Sequence, residues 1–279
     1  MFDSLIRRTL VKSLLAIERR IRARRLTLMA AEYRKTRSSQ TTHANSPDEW
    51  DIEYAFQPLI PVKSLTNPIA SLVANLTEPG DMLLETGCGS GVLSAQLATT
   101  GRRICLCDFS WNILLRAKRL FEVSGLQMPE MCVCDLTDAL PYADCSVDTV
   151  WSSGVLEHWD DKEVERIVAD MRRVSRRSVI AFVPYAGSVL YRMGKYLAER
   201  NGLWPYGREL PRMSLRKIFE ASGLREVQEQ IVCPEYAPST LGLAEPIIRD
   251  IVAEWWDNLP LNDPVRFNQG YLLMTVGYR

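Results

Sequence analysis

The amino-acid sequence predicts an α/β protein with a mostly parallel sheet that helices cover on both faces. Between residues 82 and 183, short continuous apolar runs alternate with segments of helical periodicity. This pattern is typical of a parallel sheet that is buried on both faces. A glycine-rich turn at residues 85–91 separates the first apolar run from the helix that follows. The chain has 279 residues, of which 47% are hydrophobic, and this length permits one large domain with appendages.

The elements of the central region follow from apolar runs, caps and glycine breakers. A first helix is predicted to begin at Asn67-Pro68, because asparagine caps a helix well and proline fits its first position. It ends before the turn at Pro79-Gly80. Five strands are predicted at Met82–Glu85, Ile104–Cys107, Met131–Cys134, Val147–Trp151 and Val179–Val183. The helices between them are predicted at Val92–Ala98, at Trp111–Val123 before the stop residue Gly125, and at Lys162–Val174.

The C-terminal part departs from this simple alternation. Residues 185–211 are rich in aromatic side chains and contain no predicted strand. The remaining predicted elements are a helix at Leu215–Ala221, late strands at Val227–Val232 and Tyr271–Tyr278, and a helical insertion at about 247–256. We therefore expect a core domain at residues 46–279, with insertions at about 185–212 and 234–268.

The first 40 residues differ in composition from the remainder. They contain eleven basic and three acidic residues, a formal charge of +8, whereas the charge of the whole chain is zero. Five aliphatic residues recur at steps of three and four and define one narrow helical stripe: Ile6, Leu10, Leu14, Ile17 and Ile21. We expect residues 1–45 to form a basic amphipathic helix and a linker. Three roles fit this helix: a cover over the substrate site, contact with an anionic membrane or acidic partner, or peripheral or dimerising packing.

The cysteines and the N-terminus favour a cytoplasmic location. The seven cysteines are odd in number and no secretory signal precedes them, so we expect reduced thiols. Arg7-Arg8 resembles part of a twin-arginine signal, but charged residues interrupt the apolar segment that follows. No metal site is predicted, because two cysteine pairs lack the spacing of zinc ligands and are expected to pack in the core: Cys105 with Cys107, and Cys132 with Cys134.

The glycine turn indicates a nucleotide site, and its neighbours distinguish three kinds of site. A phosphate-binding loop needs a lysine and a hydroxyl residue after its last glycine, whereas Val92 and Leu93 follow here. The dinucleotide motif needs its third glycine where Val92 stands. Glu85 lies two residues before the first glycine. A carboxylate there favours a ligand with a cationic end over one with a pyrophosphate.

The residues from the turn onward resemble the motifs of class I S-adenosylmethionine-dependent methyltransferases. Residues 85–91 have the acid and the glycines of that family's first motif. Asp108 ends the second strand 21 residues after the first glycine, and Asp135-Leu136 follows the third strand. Ser146-Val147-Asp148 introduces the fourth strand as in the family. The resemblance implies a Rossmann-like doubly wound sheet of seven strands, with the second and third strands adjacent and Tyr271–Tyr278 as the single antiparallel strand.

The same resemblance implies S-adenosyl-L-methionine as the cofactor, bound at the carboxyl ends of the strands. It places Glu85 near the ammonium group of the methionine part, Asp108 on the ribose, and Asp135 with Leu136 at the adenine. The residues that it implies for cofactor binding are Glu85, Gly87, Cys88, Gly89, Asp108, Phe109, Asp135, Leu136 and Ser153.

His158 is the candidate catalytic residue, because it follows the fourth strand near the implied cofactor. A histidine with a pKa near neutrality can take a proton from an attacking hydroxyl. The alternative is that it braces its loop. Aromatic residues after the fifth strand are expected to line an apolar acceptor pocket or to pack the insertion onto the sheet: Tyr185, Tyr191, Trp204 and Tyr206.

We expect in-line methyl transfer to a small, partly apolar molecule. Residues 152–155 read Ser-Ser-Gly-Val in place of the Asp/Asn-Pro-Pro-aromatic motif of exocyclic-amine methylases, and no Pro-Cys motif suits pyrimidine methylation. No nucleic-acid partner is expected. Two alternatives stay open: a membrane-associated enzyme for a lipid or quinone-like acceptor, with contact through residues 1–40, and an inactive cofactor-binding partner protein. The acceptor atom and the oligomeric state are left open.

Overall fold

Seven strands form one mixed sheet in the protein. Their bounds are β1 Met82–Thr86, β2 Arg103–Asp108, β3 Glu130–Val133, β4 Val147–Ser153, β5 Ser175–Pro184, β6 Arg225–Val232 and β7 Leu272–Tyr278. The structure is a computed structural model that describes residues 50, 51, 54, 58–243, 245–260 and 262–279. The basic helix and linker expected at residues 1–45 lie outside the described residues.

The strand order is β3-β2-β1-β4-β5-β7-β6. Strands β1 to β5 pair in parallel, and β7 runs antiparallel to both β5 and β6. The order reverses at β1, which lies between β2 and β4. At such a switch point the connections leave adjacent strands toward opposite faces and open a crevice at the carboxyl ends. The predicted doubly wound sheet is confirmed, with β2 beside β3 and one antiparallel strand.

Three strands, β4, β5 and β6, extend by two or more residues at one end beyond their predicted bounds. Strand β5 begins at Ser175, ahead of the predicted Val179, because the exposed Arg176 and Arg177 carry no apolar signal. Strand β4 continues through the polar but buried Ser152 for the same reason. The hydrogen bonds of a sheet are formed by backbone groups. A strand can therefore extend through residues whose side chains show no alternating or apolar pattern.

Helices connect the strands and follow the predicted caps. Asn67 Oδ1 accepts the Ile69 N–H at 2.9 Å, and Gly125 takes a left-handed φ of +66° after the third helix. Two short 3-10 helices span Leu156–His158 and Pro234–Leu243. Within the described ranges the α-helices are α1 Pro68–Asn75, α2 Val92–Ala98, α3 Trp111–Ser124, α4 Asp161–Val174, α5 Val189–Arg200, α6 Arg216–Ala221, α7 Pro246–Asn258 and α8 Pro264–Asn268.

Two hydrophobic cores lie on opposite faces of the sheet. Successive strand residues point to opposite faces, so Leu83 and Leu84 of β1 belong to different cores. The core around Leu84 includes residues of α4 and α6, such as Ile167 and Phe219. The core around Leu83 includes residues of α1, α2 and α3, such as Phe121. Helices therefore cover both faces of the sheet.

Both expected insertions are helical. Helix α5 follows β5, and α7 and α8 lie between β6 and β7; α5 and α7 each pack against the 3-10 helix at Pro234–Leu243. The sequence did not specify α5 as a helix, because its buried residues are Tyr191, Gly194, Lys195 and Ala198 and not an aliphatic stripe. Among the described residues, no helix combines the length and apolar character that crossing a membrane requires.

Candidate active site

A cavity of about 190 Å³ lies at the carboxyl ends of β1, β2 and β4, where the strand order reverses. Backbone glycines, acids and aromatic side chains form its lining. His158 is among the lining residues. Of the residues that the family resemblance implies for cofactor binding, those that line the cavity are Gly87, Gly89, Asp108, Phe109, Asp135, Leu136 and Ser153.

The glycine turn brings the backbone between β1 and α2 against the cavity. Gly87 and Gly89 have φ angles of +66° and +49°, in the left-handed region that favours glycine. A Cβ at Gly87 would lie 2.7 Å from Val155 Cγ2, and a Cβ at Gly89 would lie 2.5 Å from Tyr54 Oη. Only glycine therefore fits at both positions without a shift of its neighbours, and bare backbone forms part of the cavity wall.

Asp108 ends β2 and lies against the glycine turn. Its carboxylate is buried; Oδ2 accepts the Gly89 N–H at 3.0 Å and Oδ1 accepts the Ser110 N–H at 3.1 Å. Burial raises the pKa of Asp108, and the backbone N–H groups oppose that shift. Each carboxylate oxygen can accept a second hydrogen bond. A ligand hydroxyl can therefore be added to the donors that already hold this side chain.

Glu85 and Cys88 are buried beside the cavity and are not part of its lining. Burial raises the pKa of Glu85 to about 8, against the opposing effect of Ser94, and Asp108 raises it further. Among the described residues, Glu85 Oε2 has no hydrogen-bond partner. A cationic group at this oxygen would provide the missing partner and favour the carboxylate. This orphaned oxygen and the glycine turn fit a ligand that carries an ammonium group, as S-adenosylmethionine does.

Asp135 and Leu136 follow β3 and combine a carboxylate with an apolar side chain. Asp135 is exposed, and its Oδ1 accepts the N–H and the hydroxyl of Thr137 at 2.8 and 2.7 Å. Leu136 is buried and packs in the core around Leu84. A fixed carboxylate beside an apolar surface suits a heteroaromatic ring that bears an amino group.

His158 lies at the end of the 3-10 helix that follows β4. Its Nδ1 is 2.8 Å from the backbone oxygen of Arg208. Because a carbonyl oxygen can only accept, this contact assigns the proton to Nδ1 and leaves Nε2 as an acceptor in the neutral ring. Burial lowers the pKa of His158, although the carbonyl groups of Arg208 and Gly154 oppose the shift. The ring is therefore neutral at pH 7 and carries one basic nitrogen.

Trp50 and Tyr54 line the cavity, although the sequence motifs assigned them no role. Their rings stack at 6.2 Å, and Trp50 meets the His158 ring edge to face at 5.7 Å. Asp51 anchors this segment, because its Oδ1 accepts the hydroxyl proton of Ser110 at the start of α3. The family motifs begin at β1 and do not include these residues. The aromatic and acidic run at residues 49–56 was the signal that could have found them.

The four aromatic residues expected to contact the acceptor are not among the lining residues. Tyr191 is fully buried in α5, and Tyr185 packs against the core around Leu84. The rings of Trp204 and Tyr206 meet edge to face at 5.2 Å, and Tyr206 stacks on Trp50 at 6.4 Å. Tyr206 thus supports the cavity wall through Trp50.

All seven cysteines are free. Cys105 and Cys107 of β2 are buried, and Cys132 and Cys134 are partly buried. Cys107 is paired in register with Cys132 of β3, and Cys134 reaches the cavity lining. In the part of the chain that the structure describes, no three potential metal ligands come together.

The fold has a counterpart among solved structures. An S-adenosylmethionine-dependent methyltransferase from Archaeoglobus fulgidus aligns with a TM-score of 0.53 and 14% sequence identity, over 76% of this chain and 93% of that chain. At this level of identity the likeness concerns the fold. The sheet therefore shares its fold with that methyltransferase.

Sequence comparisons find a methyltransferase domain in the central part of the chain. Residues 84–183 match the family model described as methyltransferase domain. Methyltransferase GfsG of Streptomyces halstedii is 31% identical over 144 residues, which are 46% of this chain and 50% of that protein. Malonyl-[acyl-carrier protein] O-methyltransferase of Pectobacterium atrosepticum is 25% identical over 177 residues, which are 63% of this chain and 66% of that protein. The chain thus spans between half and two thirds of the length of these two relatives.

Fold, glycine turn and cavity together define a class I methyltransferase domain. The match at residues 84–183 identifies a methyltransferase domain within the chain. S-adenosylmethionine is the cofactor of that class.

The buried Glu85 gives the stability of the ligand-free protein a specific pH dependence. Its pKa is about 8 in the folded chain and 4.5 as the ordinary value. Between these values the folded chain binds more protons than the unfolded chain, so stability falls as the pH rises. We expect Glu85→Gln to gain a few kcal/mol in unfolding free energy, relative to wild type, between about pH 5 and about pH 9. Urea denaturation at both pH values measures the difference.

The exposed Glu78→Gln variant is the matched control for this measurement. Its unfolding free energy should track that of wild type at both pH values. A difference between Glu85→Gln and wild type that does not change with pH would contradict the burial argument.

Proposed function

We propose that this chain transfers the methyl group of S-adenosylmethionine to a hydroxyl group of a small, partly apolar acceptor, with His158 as the general base. The proposal rests on one observation: a neutral His158, with its proton fixed on Nδ1 by Arg208, lines the same cavity as Asp108 and the glycine turn. A base in hydrogen-bond reach of an attacking hydroxyl typically contributes about 10²–10⁴ in rate.

The residues of the glycine turn and the strand ends would hold the cofactor. Gly87 and Gly89 let the backbone approach its methionine part, and Glu85 offers a carboxylate to its ammonium group. Asp108 accepts from the ribose hydroxyls, and the Asp135-Leu136 pair flanks the adenine. When bound, S-adenosylmethionine supplies an electrophilic methyl group on its sulfonium.

His158 would act on the acceptor. Its Nε2 would accept the proton of the acceptor hydroxyl as the acceptor oxygen takes the methyl group, and the cofactor would leave as S-adenosylhomocysteine. The transfer needs neither an oxidant nor a reductant. Trp50, Tyr54 and Trp159 add aromatic surface to the cavity lining. Such a wall favours an apolar acceptor body and excludes water from the reacting atoms.

The name of one relative supports oxygen as the acceptor atom. Malonyl-[acyl-carrier protein] O-methyltransferase is named for transfer to oxygen. Because the identity is 25% over 63% of this chain, we infer only that the acceptor atom is oxygen. We do not infer an acyl-carrier substrate. A polar hydroxyl or carboxyl group on an apolar body also agrees with a lining that combines His158 with aromatic rings.

Asp108 provides a direct test of cofactor binding. Asp108→Asn keeps the size of the side chain and removes its charge, so we expect the affinity for S-adenosylmethionine and S-adenosylhomocysteine to fall about tenfold or more, the loss of a charge-assisted hydrogen bond of about 1.5–3 kcal/mol. Calorimetric titration measures this, with the exposed Asp138→Asn as the control. NAD should bind to none of these proteins. Equal affinities of Asp108→Asn and wild type would contradict the ribose assignment.

His158→Gln tests the general base. The glutamine can still donate to the Arg208 carbonyl but cannot take a proton, so we expect turnover to fall about 10²–10⁴-fold while cofactor affinity is unchanged. In wild type the rate should rise with pH below neutrality and level off near pH 7, because the pKa of His158 is lowered. Release of S-adenosylhomocysteine with a panel of phenols and small carboxylic acids is the readout.

His43→Gln is the control for the histidine substitution, because the chain contains only these two histidines. Undiminished turnover in His158→Gln would refute the base. If wild type binds the cofactor but releases no S-adenosylhomocysteine with any member of the panel, the inactive binding-protein alternative is favoured.

A membrane-associated methyltransferase for a lipid or quinone-like acceptor is a second candidate. The charge of +8 in residues 1–40 favours it, as do three exposed apolar side chains on one face of α7: Ile247, Ile251 and Trp255. Both candidates fit the cytoplasmic location that the cysteines favour. We expect the full chain to co-sediment with anionic vesicles and a chain without residues 1–40 to remain in solution. Equal co-sedimentation of the two proteins would rule out this role for residues 1–40.

A further inference from the structure

Three consecutive residues connect the loop of His158 to the insertion that follows β5. The Arg208 backbone oxygen accepts from His158 Nδ1 at 2.8 Å. The Leu210 N–H donates to the Glu157 backbone oxygen at 2.7 Å. Backbone atoms on both sides of Glu209 are therefore fixed to the 3-10 helix that carries His158. We call residues 208–210 the strap.

The Glu209 side chain fixes the strap to α5. Tyr191 Oη donates to Glu209 Oε2 at 2.8 Å, and Lys195 Nζ lies 3.7 Å from the same oxygen. All three residues are buried, with exposed fractions of 0% for Tyr191, 7% for Lys195 and 8% for Glu209. A buried polar group that loses its partner is costly, so these contacts determine where the strap lies against the sheet.

The geometry points to Glu209 as a positioning residue for His158: its hydrogen bond to Tyr191 holds the Arg208 carbonyl against Nδ1 and keeps Nε2 as the basic nitrogen in the cavity. The catalytic meaning of this inference rests on the proposed general-base function. The tautomer of a neutral histidine is set by the hydrogen bond that its other nitrogen makes. If the Arg208 carbonyl moved away, the proton would distribute between Nδ1 and Nε2. In a fraction of the protein molecules Nε2 would then carry the proton and could not act as the base.

Other titratable groups lie close to Glu209 on each side. Lys195 and Glu199 come from α5, Glu157 from the 3-10 helix, and Tyr271 precedes β7. Burial raises the pKa of Glu209 to about 7, and Lys195 opposes the shift. A protonated carboxyl retains a carbonyl oxygen that accepts from the Tyr191 hydroxyl. The position of the strap therefore depends on the hydrogen bond from Tyr191 and not on the charge of Glu209. A glutamine at position 209 should accept the same hydrogen bond and preserve the position of the strap.

The position of the His158 proton can be measured without turnover. His43→Gln leaves His158 as the only histidine, and nitrogen NMR of the ¹⁵N-histidine-labelled full chain then reports its tautomer. We expect one neutral tautomer with the proton on Nδ1 in this background and in Glu209→Gln. Glu209→Ala should show a mixture of both tautomers. Tyr191→Phe removes only the hydroxyl and should show the same mixture, which keeps the test valid if the alanine variant does not fold.

Glu199→Ala is the matched control for the NMR experiment. Glu199 Oε1 lies 2.7 Å from the same Lys195 Nζ but does not adjoin Arg208, so its loss should leave the tautomer unchanged. A single Nδ1-protonated tautomer in both Glu209→Ala and Tyr191→Phe would overturn the positioning role.

Turnover separates this inference from the proposed function. With the phenol and carboxylic acid panel, Glu209→Ala should lower turnover in proportion to the lost Nδ1-protonated fraction, about twofold for an even mixture, with unchanged cofactor affinity. It should cause no further loss in a His158→Gln background. Glu209→Gln should restore most of the rate. A tautomer mixture without loss of turnover would support the positioning role and refute His158 as the base. An equal further loss in the His158→Gln background would show that Glu209 acts by another route and overturn the inference.

Discussion

The buried carboxylate of Asp108 is the interaction on which the candidate site depends. It accepts one backbone N–H from the glycine turn at Gly89 and another from Ser110 at the start of α3. The Ser110 hydroxyl in turn donates to Asp51, which anchors the aromatic part of the cavity wall. A buried carboxylate without donors is strongly unfavourable, so these contacts hold the turn, the helix start and the wall together before any ligand arrives. The cavity is preorganised because one charged group links its parts.

The site also concentrates buried acids whose pKa is raised. Burial is the first cause of the shift in each of them: Glu85, Asp108, Glu157 and Glu209. Such groups weaken the ligand-free fold near neutral pH, and they are characteristic of functional sites. Glu85 and Asp108 lie at the glycine turn, where a cationic or hydroxyl group can complete their hydrogen bonding. Glu157 and Glu209 lie behind His158. Tyr191 and Lys195 contact Glu209, whereas Glu157 Oε2 has no hydrogen-bond partner among the described residues. We therefore propose ligand binding for Glu85 and Asp108 and internal positioning for Glu209.

Local sequence signals predicted one side of the site and missed the other. Apolar runs, caps and acids at strand ends are local features, and they located the sheet, most helices and the glycine turn. Trp50 and Tyr54 reach the cavity only because Asp51 binds the start of α3, a contact between residues 59 positions apart. The hydrogen bond of Glu209 to Tyr191 joins residues 18 positions apart. Neither contact follows a helical or strand period, so the aromatic and acidic run at residues 49–56 marks a segment of interest but not the residues that it contacts.

Gly89 carries a constraint that reaches beyond the ligand. Tyr54 Oη occupies the space in which a Cβ at position 89 would lie, so the glycine is required by a neighbouring side chain as well as by its own left-handed backbone. Positions 54 and 89 are thus expected to covary in evolution. Lineages that retain the tyrosine have no steric freedom at the motif glycine, and lineages that lose it regain space there. In related sequences, the residue at the position of Gly89 would then indicate whether an aromatic side chain packs against the glycine turn.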